Sequence, residues 1–197
     1  MLLNRGKLTN SNGLTFTELL AASIITGIVM IGVASMDISL RNAFEGTSKS
    51  SIVASRVSVV MHNISRHILE ASGNPTSPGA SVAASPGRLW VRRDAPATPS
   101  NYADDTWYVY QHDPIQSTVK YCTTTSSATN CITELQKFQN ITTFEPTLQN
   151  NAATNLFSVK IKLIGRFNAA QPVDALANPE YTVTSVFNLP SFSSTIP

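Results

Sequence analysis

Charge is scarce in this 197-residue chain: Asp, Glu, Lys and Arg make up 13% of it, against about 25% in typical soluble domains. The formal excess of +2 is carried by Arg5 and Lys7, and the residues after Gly13 balance 12 basic against 12 acidic side chains. A nucleic-acid face needs clustered Lys and Arg to displace counterions, so this distribution argues against one. Cysteine is limited to Cys122 and Cys131, too few for a structural zinc site with four ligands. Proline is missing before Pro75, so nothing of that kind interrupts a helix in the first third of the chain. Also missing are a G-x-S-x-G elbow, a Walker loop, a Gly-rich dinucleotide turn and a recognisable catalytic carboxylate pair. Neither a catalytic residue nor a cofactor is therefore expected.

What is present suffices for one domain with an appendage. The hydrophobic fraction of 42% excludes a disordered chain. The polar residues are mainly Ser, Thr, Asn and Gln, and the two cysteines stand nine positions apart. Both features point towards an oxidising compartment.

One apolar run dominates, from Leu14 to Met36, before Asp37 and Arg41 restore charge. In helix it is long enough to cross a bilayer core, which takes roughly 20 residues. Arg5 and Lys7 precede it, which places the amino terminus in the cytoplasm and the remainder on the exported side. Inside the run stands Glu18, one turn from its start. An acid at membrane depth costs about 3 kcal/mol on insertion scales and is usually paired and functional. An ordinary signal peptide cut near Val33, Ala34 and Ser35 fits less well, because the run exceeds the roughly 7 to 15 apolar residues such signals use.

Gly13, Leu14, Thr15, Phe16, Thr17, Glu18, Leu19 and Leu20, behind a short polar and basic leader, resemble the class III signal of type IV pilins and type II secretion pseudopilins. The resemblance implies cleavage between Gly13 and Leu14 by a prepilin peptidase, N-methylation of Leu14, and Glu18 as the fifth mature residue. In that family this acid neutralises the new amine of a neighbouring subunit during assembly. Other implied partners are further pilin or pseudopilin subunits, an inner-membrane assembly platform and the lipid bilayer before assembly. The implied location is the inner membrane, single-pass, with a periplasmic head, and then a filament.

Beyond Met36, Val53, Val57, Val60, Ile64 and Ile68 recur at helical spacing, and Gly73, Asn74 and Pro75 form a stop signal. The pattern predicts a helix from Leu14 to Ala71, with a kink or frayed stretch near Gly46 and its serine-rich neighbours. Residues 73–87 read as a loop. Strands are predicted at Leu89–Arg93, Trp107–Gln111, Thr118–Thr124, Leu156–Ile164 and Tyr181–Phe187, forming an antiparallel sheet on the helix stripe. The expected fold is therefore α+β. Its parts are a leader (1–13), a membrane or filament-core helix (14–36), an amphipathic helix (37–72) and a β-rich head (73–197). The order of WYVY, TVKYC, QNITTFEPTL, LFSVKIKLIGRF and YTVTSVFNL resembles J-type pseudopilins and W-type minor pilins.

Other candidate chemistry is thin. Cys122 and Cys131 bracket eight polar residues, and a disulfide there would remove roughly 2 to 3 kcal/mol of unfolded-state freedom. His62 and His67 are five apart on a helix and His112 lies in a strand, which is no metal spacing; solvated helix positions are expected for the first two. Asp104, Asp105 and Asp113 lack the EF-hand pattern. Trp90, Trp107, Tyr108 and Tyr110 read as sheet packing, and Arg88, Arg92 and Arg93 as a solvated edge. The expected function is that of a minor structural subunit at or near the tip of a pilus or pseudopilus. The alternative is a pilus-borne adhesin or DNA-binding minor pilin, which an exposed groove lined by Arg88, Arg92, Arg93 and an aromatic would favour.

Overall fold

The computed structural model describes residues 15–73, 78–94, 104–125, 131, 133–151 and 156–190. Gly13 and Leu14 lie outside them. The chain divides into two compact units, Met1–Phe44 and Glu45–Pro197.

The described part of the first unit is helix. It is the opening of α1, which runs from Phe16 to Leu69, and its side chains up to Phe44 are all exposed.

In the second unit the end of α1 becomes amphipathic. Val53, Val57, Val60, Ile64 and Ile68, the stripe read from the sequence, are each no more than 1% exposed. Helix continues through Gly46 and the serines after it, where a kink or fraying was expected. Gly46 is buried, and a Cβ there would stand 2.8 Å from Leu176 Cδ2. The glycine is a seat for Leu176, which accounts for a weak helix former at that position.

Eight strands follow: β1 (Ala80–Ala83), β2 (Arg88–Arg93), β3 (Thr106–Asp113), β4 (Thr118–Thr124), β5 (Gln136–Gln139), β6 (Ile141–Asn151), β7 (Leu156–Arg166) and β8 (Glu180–Asn188). The fold is α+β, as expected, with two antiparallel sheets in place of one: β1-β2-β3-β4-β5 and β6-β7-β8. All five predicted strands are present. The stretch 73–87, read as a loop, contains β1, whose Ala80 to Ala83 are placed by their register with Val91 to Arg88. Small residues beside Gly and Pro carry little strand propensity, so only the partner strand makes them one. β5 and β6 are joined by Asn140, whose φ of 61° turns the chain from one sheet into the other. Asparagine tolerates this left-handed backbone better than most residues.

One apolar core joins the α1 stripe to both sheets. Leu89, Val91, Tyr110 and Val119 come from the first sheet, and Ile141, Phe144, Val159, Ile161 and Leu163 from the second. Along β7, Val159, Ile161 and Leu163 are buried and Lys160 and Lys162 are not, the alternation of a strand with one covered face. Gly165 continues this face. A Cβ at that position would run into Val57 Cγ2, so the glycine lets α1 lie close on β7. Trp90, Val109 and Cys122 form a second, smaller cluster with Ala83, Trp107 and Cys131 packed against it.

Candidate functional site

At the start of α1, Thr15 and Glu18 bond reciprocally. Thr15 N–H and Oγ1 each donate to Glu18 Oε2 at 2.8 Å, and Glu18 N–H lies 3.4 Å from Thr15 Oγ1. This is a capping box, which satisfies backbone donors that the first helical turn leaves open. The Thr-x-x-Glu spacing that produces it is legible in the sequence. Glu18 is thus exposed, with its carboxylate held against its own helix terminus.

Over the following turns α1 is apolar, near the amino terminus, and long enough to cross a membrane. Its hydroxyl groups are directed inward along the helix. Ser23 Oγ donates to Leu20 O, Thr26 Oγ1 to Ala22 O and Ser35 Oγ to Gly32 O, each at 2.8 Å. A hydroxyl satisfied in this way needs no water, the condition set by a hydrocarbon surrounding. The apolar run closes at an i,i+4 ion pair, Asp37 with Arg41, at 2.8 Å. Around Gly27 and Gly32 a Cβ would meet nothing within 4 Å, so these positions offer low spots to a close neighbour.

In the head, Cys122 and Cys131 form the disulfide expected of them. Cys131 N–H donates to Gln111 Oε1 at 3.2 Å, which fixes the closing end of the loop on β3. Cys122 is 1% exposed beside Trp90 and Val109. The bridge is therefore part of the smaller core.

The histidines separate by environment. His62 is exposed, as expected. His67, expected in solvent, is 4% exposed and lies under the aromatic residues of β3 and β4. The helical period contained the correction: His67 is three residues after Ile64 and seven after Val60, on the buried stripe. Its Nδ1 is 2.7 Å from Tyr110 Oη. Burial, and secondarily the Arg66 charge, hold its pKa below the ordinary histidine range. Burial also pushes the Tyr110 phenol up. His112 is in β3, buried, with Nε2 3.1 Å from Ile141 O, and so stitches the first sheet to the second.

The acidic candidates are occupied by the fold. Asp113 Oδ1 accepts the Ile115 and Gln116 N–H groups at 3.1 Å, a turn cap whose bonds hold its pKa down. Asp105 is buried and lies 3.4 Å from Arg92 Nε. Among the described residues no group of three His, Cys, Asp or Glu side chains is placed to hold a metal.

Arg92 is the clearest departure from expectation. Its charge predicts a solvated edge, yet its side chain is 2% exposed. Its Nε donates to Ser72 O at 2.8 Å, and its guanidinium lies over the Trp107 ring at 5.6 Å. Alternation places Arg92 on the Trp90 face of β2, and the Asp105 charge compensates it there. Arg93 is exposed on the opposite face and donates to Tyr108 Oη at 2.7 Å. Arg88, Arg92 and Arg93 therefore do not share one groove. Trp90, Tyr108 and Tyr110 are buried, as expected for sheet packing. In comparisons with protein-family models, with curated proteins and with solved structures, nothing matches this chain.

Proposed function

We propose that the chain is a minor pilin or pseudopilin. A prepilin peptidase would cut it after Gly13 and methylate Leu14, and the subunit would then be assembled through its amino-terminal helix at or near the tip of a type IV pilus or type II secretion pseudopilus. The observation that carries this reading is Glu18, an acid one turn into an exposed apolar helix and five residues beyond Gly13. Before assembly the helix would sit in the inner membrane with the head on the periplasmic side. The Thr15 bonds to Glu18 lower the cost of bringing that carboxylate to membrane depth. In the filament its charge would meet the amine of a neighbour. The exposed helix surface around Gly27 and Gly32 supplies the close-packing side.

The engagement of Arg92 with Asp105 and of Arg93 with Tyr108 supports a structural head over a ligand-binding one. Co-expression with a prepilin peptidase, followed by intact mass and amino-terminal sequencing, tests the reading directly. A chain beginning at N-methylated Leu14 is expected; one retaining Met1, or cut near Ser35, overturns it. Glu18→Ala should leave membrane insertion intact and strongly reduce incorporation into filaments, and normal incorporation would remove the assembly role.

A further inference from the structure

His67 ties the last turn of α1 to the first sheet through one short bond and two stacked rings. Tyr108 lies at 4.0 Å between centroids and Tyr121 at 5.2 Å, both stacked on the imidazole. Nδ1 faces Tyr110 Oη at 2.7 Å, and Nε2 faces Arg66 Nη2 at 3.4 Å. A guanidinium nitrogen only donates, so Nε2 must accept and carry no hydrogen. Nδ1 then holds the hydrogen and donates to Tyr110. The geometry assigns both the tautomer and the charge: the ring is neutral.

A second proton has nowhere favourable to go. On Nε2 it would point at the Arg66 donor and place two cations side by side in a site with little water. The charged and titratable groups of the described residues around the ring are Arg66 on α1, Glu70 just past its end, Arg93 on β2, Tyr108 and Tyr110 on β3, and Tyr121 on β4. Arg93 holds Tyr108 Oη at 2.7 Å, so a second guanidinium stands behind the stacked pair. Among the described residues Glu70 opposes these two cations. The tyrosine faces favour an imidazolium, but by less than burying an ion costs.

We propose that His67 is an acid-sensitive latch: neutral, it fastens the last turn of α1 to β3 and β4, and protonated, it releases that turn. The latch belongs to the head alone and does not rest on the assembly reading. Its sign follows from linkage. The folded ring titrates below the unfolded value of 6.5, so its contribution is full above that pH and is lost as pH falls through it towards the folded value.

Two measurements on the full chain in detergent micelles test this. Histidine-selective NMR between pH 8 and 4.5 should find the His67 ring neutral at pH 7 and titrating below the ordinary histidine value of 6.5. Hydrogen exchange, corrected for intrinsic rates, should find the 62–70 segment opening more often by about tenfold for each pH unit beyond the onset of titration, while 53–60 stays protected. His67→Gln, which keeps a donor for Tyr110 and does not titrate, should abolish that dependence. A His67 ring that titrates at or above 6.5, or the same acid response in His67→Gln, overturns the proposal. If His67→Gln does not fold, the wild-type NMR titration decides alone.

Discussion

Asp105→Asn removes one charge from the buried pair and leaves the Arg92 guanidinium in place. The two side chains are 2% and 0% exposed, with Arg92 Nε 3.4 Å from Asp105 Oδ2. At that separation and an effective dielectric near 20 the lost attraction is about 5 kcal/mol. Breaking one half of a buried pair typically costs about 3 to 5 kcal/mol, because the remaining charge cannot recover its hydration. Part of the Arg92 donor capacity is retained by Ser72 O at 2.8 Å, so we expect a value near the lower half of that range. With a urea slope of about 2 kcal/mol per molar, the unfolding midpoint should fall by about 1.5 to 2 M. The assay is urea unfolding of the full chain in micelles, followed by circular dichroism, since Arg92 lies over Trp107 and would perturb its fluorescence. Glu145→Gln serves as the comparison: its pair with Lys162, at 3.1 Å, is largely exposed and should contribute at most about 1 kcal/mol. Replacing both residues, as Arg92→Met with Asp105→Leu, should recover most of the loss. An Asp105→Asn midpoint no lower than that of Glu145→Gln would refute the argument that this pair is a buried, coupled unit.

Gly165→Ala should cost about 1 to 3 kcal/mol through overpacking, since the new methyl runs into Val57. Val57→Ala in the same chain should give back part of that loss, a coupling measurable by a double-mutant cycle in urea. Replacing Cys122 and Cys131 by Ser should lower stability by roughly 2 to 3 kcal/mol. It should also shift Trp90 emission to the red, because Cys122 helps bury that indole; unchanged emission would show that the bridge does not hold the small core closed.

The sequence by itself determined the parts whose signal is local. An unbroken apolar run makes the opening of α1 helical and long enough for a membrane, whatever follows it. A valine and isoleucine stripe at helical spacing places the covered face of the same helix, and strict alternation places β7. Thr15 and Glu18 also belong here, because a capping box is written within four residues. Only the tertiary structure decided where each part meets another. β1 is a strand because β2 lies beside it, and the β-residues form two sheets because Asn140 turns the chain between β5 and β6. Gly46 and Gly165 look like helix and strand weakeners until Leu176 and Val57 fill the space they leave. Arg92 reads as surface from its charge, and it is buried because Asp105, thirteen residues away, compensates that charge. His67 reads as solvent-facing by residue type, and it is buried because Tyr110, forty-three residues away, bonds its Nδ1. Polar groups enter a core only with partners, and those partners are distant in sequence.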